Sequence, residues 1–197
     1  MRSLYNMRTG NNVKKDLLVL LAVVLLAVFV IRGTEIQSVD EYYLTHIDDI
    51  SEDSETVFLS IRCDTILENW DALDSALRSE QYVPKDGVIL QKTEYVLRPG
   101  DSVFDLLSRA TRHHKIQMEY QGVRDNGYGS AYIRGIHYLY EFSCGPLSGW
   151  LYTVNGAFSG YGCSKYFPKD GDVIEWKYTC DLGRDVGNDS GSGLQGR

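Results

Sequence analysis

The stretch from Ser148 to Cys180 constrains the fold of this chain more than any other. Trp150 to Val154 is rich in aromatic and β-branched residues and ends in Asn155-Gly156, a pair that readily takes positive φ at both central positions of a hairpin turn. Pro168-Lys169-Asp170-Gly171 forms a second turn signature. After it, Ile174, Trp176 and Tyr178 alternate with polar residues. The stretch therefore predicts a hairpin followed by a strand with one apolar face.

Sequence patterns N-terminal to Ser148 predict further elements that pack or pair with these strands. Val57 to Cys63 places apolar residues at every second position and predicts the first strand of the domain. Apolar residues at Ile66, Trp70, Leu73 and Leu77 have helical spacing, and they predict an amphipathic helix. A second Pro-Lys-Asp-Gly turn, at 84–87, then leads into a strand from Val88 to Leu97.

The main helix is predicted to begin at Ser102, which forms a capping box with Asp105. Val103, Leu106, Leu107 and Ala110 make its inward stripe, and a basic end follows at 113–115. Three short strand-like runs fill residues 116–142. The sequence thus predicts an α+β domain with one main helix.

An apolar run of 15 residues, from Leu17 to Ile31, follows a basic N-terminal segment. It is slightly shorter than the roughly 20 residues that span a bilayer comfortably. No small-x-small cleavage site follows the run, which favours a retained transmembrane signal-anchor at 17–32, with a cleaved secretory signal as the alternative. The positive-inside rule then predicts a single-pass protein of the cell membrane, with its N-terminus in the cytoplasm and its domain outside the cell.

The division of the chain follows these signals. We expect a cytoplasmic basic segment at 1–16, the anchor at 17–32, an acidic linker at 33–56, one globular domain at 57–183 and a disordered tail at 184–197. The net charge of −7 combines +4 on residues 1–32 with −11 on residues 33–197, and this negative exterior argues against a nucleic-acid partner, because phosphate binding needs clustered Lys and Arg.

All four cysteines, Cys63, Cys144, Cys163 and Cys180, lie beyond the predicted anchor. An even number of cysteines outside the cytoplasm indicates two disulfides. A zinc site is the rival interpretation, but its ligands usually come in close pairs, and no two of these cysteines are nearer than 17 positions. Free thiols are the remaining alternative, and no metal site is predicted.

The motifs together resemble a known family. Gly149-Trp150-x-Tyr152-x-Val154-Asn155-Gly156, Gly162-Cys163 and the run from Lys169 to Trp176 occur in order, with matching elements upstream at 60–64 and 100–107. This combination resembles a bacterial extracellular domain family related to the C-terminal domain of transcobalamin and intrinsic factor. The resemblance covers residues 57–187 and implies a β-grasp fold, a mixed sheet packed on one main helix.

The resemblance also implies a cysteine pairing. In a β-grasp sheet the first and last strands lie side by side, which implies a Cys63–Cys180 bridge and leaves Cys144 to pair with Cys163. In the vitamin carriers such a domain closes over cobalamin together with a helical domain. The resemblance therefore makes a corrinoid-binding accessory role one alternative function, although we predict no bound cofactor.

The residues themselves favour a non-catalytic module that binds a small ligand or a surface protein. The aromatic and turn residues around the hairpin are the candidate ligand contacts: Trp150, Tyr152, Asn155, Phe158, Tyr161 and Tyr166. The alternative for most of these rings is a place in the core. The chain carries none of the nucleophile-elbow, zincin, P-loop or dinucleotide motifs, and a Cys163–His137 pair is the one conceivable catalytic combination. We therefore predict that the protein is not an enzyme, and a structural role in envelope assembly is a further alternative.

Overall fold

The computed structural model describes residues 15–26, 28, 50–125 and 127–188, and it divides into two units. The first unit, residues 1–39, contributes helix α1 at 15–26. Among the described residues no helix is long and apolar enough to cross a membrane, so the transmembrane helix predicted at 17–32 is not supported. Residues 27 and 29–32 of that predicted anchor lie outside the described residues. Most of the predicted basic segment and linker, and residues 189–197 of the predicted tail, lie outside them as well.

The second unit holds the remaining elements, in the order strand, short helix, strand, main helix and six further strands. In chain order they are β1 (Thr56–Arg62), α2 (Thr65–Glu68), β2 (Val88–Val96), α3 (Val103–His113), β3 (Met118–Gln121), β4 (Tyr132–Ile136), β5 (Leu139–Tyr140), β6 (Gly149–Val154), β7 (Ala157–Phe158) and β8 (Val173–Thr179). The mixed α+β class predicted from the sequence is confirmed.

Five strands form the larger sheet, in the order β2-β1-β8-β6-β7. β1 and β8 pair in parallel, with Leu59 level with Ile174 and Ile61 level with Trp176. The other neighbouring pairs, β1–β2, β6–β8 and β6–β7, are antiparallel. The first and last strands of the domain are therefore adjacent and inside the sheet, as the family resemblance implied.

The three strands β3, β4 and β5 form a sheet of their own. The apolar stripe of α3, Val103, Leu106, Leu107 and Ala110, is buried in the same core cluster as the inner faces of both sheets. The capping box is present, because Ser102 N donates to Asp105 Oδ2 at 2.9 Å and Asp105 N donates to Ser102 Oγ at 3.3 Å. These contacts fix the start of the helix that covers the core.

The amphipathic helix predicted from Ile66 to Leu77 is wrong. The chain forms α2 and then two 3₁₀ turns, Trp70–Ala72 and Ser75–Leu77, separated by an extended Leu73 at ψ 141°. The side-chain amide of Asn69 donates a hydrogen bond to the carbonyl of Thr65 at 2.8 Å and helps to end the helix there. Ile66 and Leu73 are still buried, so the apolar spacing identified the inward residues but not the backbone between them.

Neither predicted disulfide is present, since all four cysteines are free thiols. The β1–β8 register explains why the predicted Cys63–Cys180 bridge is absent. Arg62 is level with Lys177, so Cys63 is level with Tyr178 and Cys180 lies two residues further along its strand. For the second pair, the Cys144 thiol donates to the carbonyl of Asn69, whereas the Cys163 thiol donates to that of Ala131. The two thiols therefore contact different parts of the core.

Residues 184–186 form a 3₁₀ turn that contacts the end of β8. Asp185 accepts hydrogen bonds there from the Thr179 hydroxyl and, at 2.7 Å, from the Cys180 amide. The described part of the C-terminal segment is therefore held against the sheet.

The two Pro-Lys-Asp-Gly turns provide a matched test of the fold. Gly87 and Gly171 both have positive φ, 66° and 79°, but a Cβ on Gly87 would lie 2.4 Å from the Cα of Asp64, while one on Gly171 would meet nothing within 4 Å. We expect Gly171→Ala to lower the free energy of unfolding by about 1 kcal/mol, through backbone strain alone. Gly87→Ala adds a clash with backbone and should cost about 3 kcal/mol or more. Urea unfolding of both variants measures the difference, and equal losses would contradict the contact at Asp64.

Candidate functional site

A cavity of about 220 Å³ lies where β4, β6 and the segment after β7 meet. We call it the β6 cavity. Its walls include five aromatic rings and one thiol, from Tyr132, Trp150, Tyr152, Phe158, Trp176 and Cys163. Tyr161 lines it as well, and its side chain is 67% exposed at the rim. No charged side chain is among the lining residues of this described cavity.

The antiparallel pairing of β6 with β8 positions the aromatic side chains that form one wall of the β6 cavity. Trp150 lies opposite Tyr178 and Tyr152 opposite Trp176, with ring centroids 5.2 Å and 5.3 Å apart. Alternation along a strand puts all four rings on one face of the sheet. The wall is therefore a direct product of strand register.

The Asn155-Gly156 turn brings the chain back along β6. Its two residues have φ of 52° and 79°, and Val154 pairs with Ala157 across it. This confirms the hairpin turn predicted from the sequence. β7 contains only two residues, so the chain leaves the sheet after Phe158 and passes around the cavity.

Hydrogen bonds fix two of the rings. Nε1 of Trp150 donates to the carbonyl of Leu139 at 2.7 Å, and the Tyr152 hydroxyl donates to the carbonyl of Tyr161 at 2.6 Å. Nε1 of Trp176 is buried and finds no acceptor in the described part of the chain. The wall is thus rigid at Trp150 and Tyr152 and carries one unpaired donor at Trp176.

A pair of tyrosines extends the aromatic surface on the β4 side. Tyr132 lies with its ring 5.3 Å from that of Tyr128, whose side chain is 72% exposed. The Tyr132 hydroxyl donates to Glu141 at 2.7 Å, and burial together with this carboxylate raises the pKa of Tyr132 to about 12. The Tyr132 ring is therefore neutral at physiological pH.

Of the six predicted ligand contacts, the structure places Trp150, Tyr152, Phe158 and Tyr161 at the cavity. Asn155 instead secures the turn, because its amide donates to Asp172 at 2.8 Å and its oxygen accepts from the amide of Val173 at 2.9 Å. Tyr166 packs behind the wall, with its ring 6.3 Å from that of Tyr152.

Sequence reasoning missed the wall residues that come from other elements, namely Ala131, Tyr132, Ile133, Cys163 and Trp176. Trp176 was recognised as an inward strand residue, but nothing in the sequence brought β4 to the same place. Only the packing of the small sheet against β6 does so.

The Cys163 thiol in the cavity wall has the properties of a packing group. Its Sγ donates to the carbonyl of Ala131 at 3.3 Å, and burial raises the pKa of Cys163 to about 11. The thiol therefore stays protonated at neutral pH. The imidazole of His137 interacts with the backbone of Gln81 instead, so the Cys163–His137 combination considered from the sequence is not formed. In the described ranges no cluster of three or more metal-ligating side chains is present.

A second cavity, of about 250 Å³, lies beside α3 and has a different character. Its walls include Arg98, Arg109 and Arg112 together with Asp101 and Asp105. The guanidinium of Arg109 is 2.8 Å from Asp101, and both side chains are almost buried. Because opposite charges meet within it, this cavity is better explained as an ion-pair cluster that supports the helix.

The fold and the cavity together define a mixed α+β domain with an apolar, aromatic-lined recess. Residues 100–180, less than half of the chain, match the family model described as "Domain of unknown function (DUF4430)". No curated protein matches the chain. Among solved structures, the chain is similar to the crystal structure of haptocorrin in complex with Cbi, at 13% identity and a TM-score of 0.43. That match covers 68% of this chain and 27% of the haptocorrin chain, so this chain spans about a quarter of its length.

The structure separates core rings from rim rings, which gives a direct test. Trp150 is 8% exposed and hydrogen-bonded, so Trp150→Ala should lower the free energy of unfolding by about 3–5 kcal/mol. Phe158→Ala and Tyr161→Ala remove half-buried and exposed rings and should each cost less than about 1.5 kcal/mol. Chemical denaturation of the three variants decides the matter. A loss at Tyr161 as large as that at Trp150 would make Tyr161 a core residue.

Proposed function

We propose that this protein is a non-catalytic binding module whose β6 cavity takes a small, flat, largely apolar ligand. The observation that carries the proposal is the convergence of aromatic side chains from β4, β6, β8 and the segment after β7 on one recess of about 220 Å³. Ligand sites are typically concave and lined by apolar and aromatic side chains with few polar groups. A concave cluster favours a small molecule over a protein surface, which prefers a flat patch.

The chemistry of the wall limits the ligand. No charged side chain lines the described cavity, so a charged group placed inside would lose its hydration without gaining a counter-ion. The polar groups that are available are hydroxyls and amides, such as Ser159 and Asn188. The buried part of the ligand is therefore uncharged, and a ring system that stacks on Phe158 and Tyr161 fits best.

The volume bears on the corrinoid alternative. Sites for drug-sized ligands usually measure about 300–1,000 Å³, so a recess of about 220 Å³ encloses a fragment-sized molecule or one arm of a larger one. A corrin macrocycle would rest on the rim with most of its surface in water. Corrinoid binding therefore ranks below a small flat ligand.

Ligand-observed NMR with 2-naphthol as the probe tests the proposal, with cyanocobalamin in a parallel sample. Phe158→Ala and Tyr161→Ala should each weaken 2-naphthol binding about tenfold, equivalent to about 1.4 kcal/mol, because each removes one stacking surface. Phe167→Ala is the matched control, since Phe167 is 62% exposed but does not line the β6 cavity. Binding of 2-naphthol that is equally weakened by Phe167→Ala, or no binding at all, would refute the proposal. Cyanocobalamin binding without 2-naphthol binding would favour the corrinoid alternative.

We also propose that the domain works outside the cytoplasm. The support is a basic N-terminal segment followed by the apolar run from Leu17 to Ile31, a pattern typical of exported proteins. Protease added to intact cells should then digest the domain. A domain that is digested only after cell lysis would place the protein in the cytoplasm.

A further inference from the structure

Two of the four free thiols lie near each other at the end of the larger sheet. Cys144 and Cys180 are close enough there for each thiol to shift the pKa of the other. They are 36 positions apart in the sequence: Cys144 lies on the connection before β6, and Cys180 is the residue after β8. This contact is separate from the β6 cavity, whose lining includes neither residue.

The backbone brings this pair together. The β6–β8 ladder ends with Gly149 opposite Thr179, so Ser148 and Cys180 are neighbours just beyond it. Ser148 Oγ in turn accepts a hydrogen bond of 3.0 Å from the amide of Cys144. A short chain of contacts therefore connects the two cysteines at the end of the ladder.

One helical turn contacts both thiols from below. Sγ of Cys144 lies 3.5 Å from the carbonyl oxygen of Asn69, and Sγ of Cys180 lies 3.8 Å from Oγ1 of Thr65. Thr65 and Asn69 are joined by a hydrogen bond of 2.8 Å, so they lie on the same side of α2. Both sulfur atoms thus lie against the same short helix, each held by its own contact with it.

The other two cysteines have no such arrangement. Cys63 is fully buried and continues β1, and its amide donates to the carbonyl of Gly87 at 2.7 Å. Cys163 is buried in the wall of the β6 cavity, against Ala131. Cys180 is only partly buried, so a small reagent reaches the Cys144–Cys180 pair before it reaches Cys63 or Cys163.

We propose that Cys144 and Cys180 form an oxidisable dithiol, a covalent modification site at which a peroxide oxidant joins them in a disulfide. One thiol releases its proton and the thiolate attacks hydrogen peroxide. The O–O bond breaks, the sulfur becomes a sulfenic acid, and the departing hydroxide takes up the released proton to give one water. The second thiol then attacks the sulfenic sulfur, forming the S–S bond and releasing a second water. The two cysteines lose two electrons and two protons, and one peroxide is reduced to two waters.

The surroundings set the speed of this reaction. Burial raises the pKa of both thiols, and the Asp185 carboxylate adds to the effect, while Arg78 opposes it at Cys144. The proximity of the two thiols lowers the pKa of Cys144 and raises that of Cys180. Tyr178, the other titratable neighbour, is neutral at physiological pH because burial raises its pKa. Since only the thiolate reacts, oxidation is slow at neutral pH and accelerates as pH rises.

Mass spectrometry of the native full chain tests the proposal. The protein is treated with hydrogen peroxide, remaining thiols are alkylated, and the digest is read without reduction. We expect a Cys144–Cys180 cross-linked peptide with Cys63 and Cys163 alkylated, and formation about tenfold faster per pH unit from pH 7 to pH 9. The oxidised protein should melt on the order of 10 °C higher, and dithiothreitol should reverse the shift.

Cys180→Ser is the informative variant, because Cys180 is partly exposed and its replacement leaves the core intact. This variant should fold normally, form no intramolecular cross-link and lose the peroxide-induced rise in melting temperature. A cross-link that contains Cys63 or Cys163 in the wild-type protein, or four alkylated thiols after prolonged oxidation, would overturn the proposal.

Discussion

The parallel pairing of β1 with β8 is the constraint on which the rest of the structure depends. It joins the first and last strands of the domain, which lie more than 100 residues apart in the sequence, and places both inside the larger sheet. Ile61 and Trp176 lie side by side as a result. A contact between such distant segments closes a very long loop, and burial of the two inner faces offsets that entropy. Every other strand of the sheet extends outward from this pair.

The β6 cavity depends on the same pairing indirectly, because β6 pairs with β8. β8 presents Trp176 and Tyr178, β6 adds Tyr152 and Trp150 opposite them, and the very short β7 then lets the chain leave the sheet. The small β3–β4–β5 sheet supplies the facing wall through residues 131–133. The recess is apolar because the inward faces of β6 and β8, which pack in the core, also form its wall. One alternation pattern therefore provides both stability and the candidate binding surface.

The cysteines show that the prediction of a disulfide from adjacent strands depends on the strand register. Adjacent strands can place two cysteines near each other, but a shift of two residues along a strand moves the sulfur atoms roughly 6–7 Å apart. That shift separates Cys63 from Cys180, while the end of the β6–β8 ladder brings Cys180 to Cys144 instead. The Cys63 thiol becomes a core group, with burial raising its pKa to about 12. The four thiols thus have two distinct environments.

The sequence by itself determined the local features. Alternation identified β1 and β8, and aromatic and β-branched content identified β6. The Asn155-Gly156 pair identified the hairpin, and Ser102 with Asp105 identified the start of α3, because each signal depends on neighbours within a few residues. It also identified four rings of the β6 cavity: Trp150, Tyr152, Phe158 and Tyr161. Tertiary structure alone decided that β3, β4 and β5 form a separate sheet, that Tyr132 and Trp176 complete the wall, and which cysteines meet. Those outcomes depend on strand register and on the packing of one sheet against another, which no local pattern of side chains encodes.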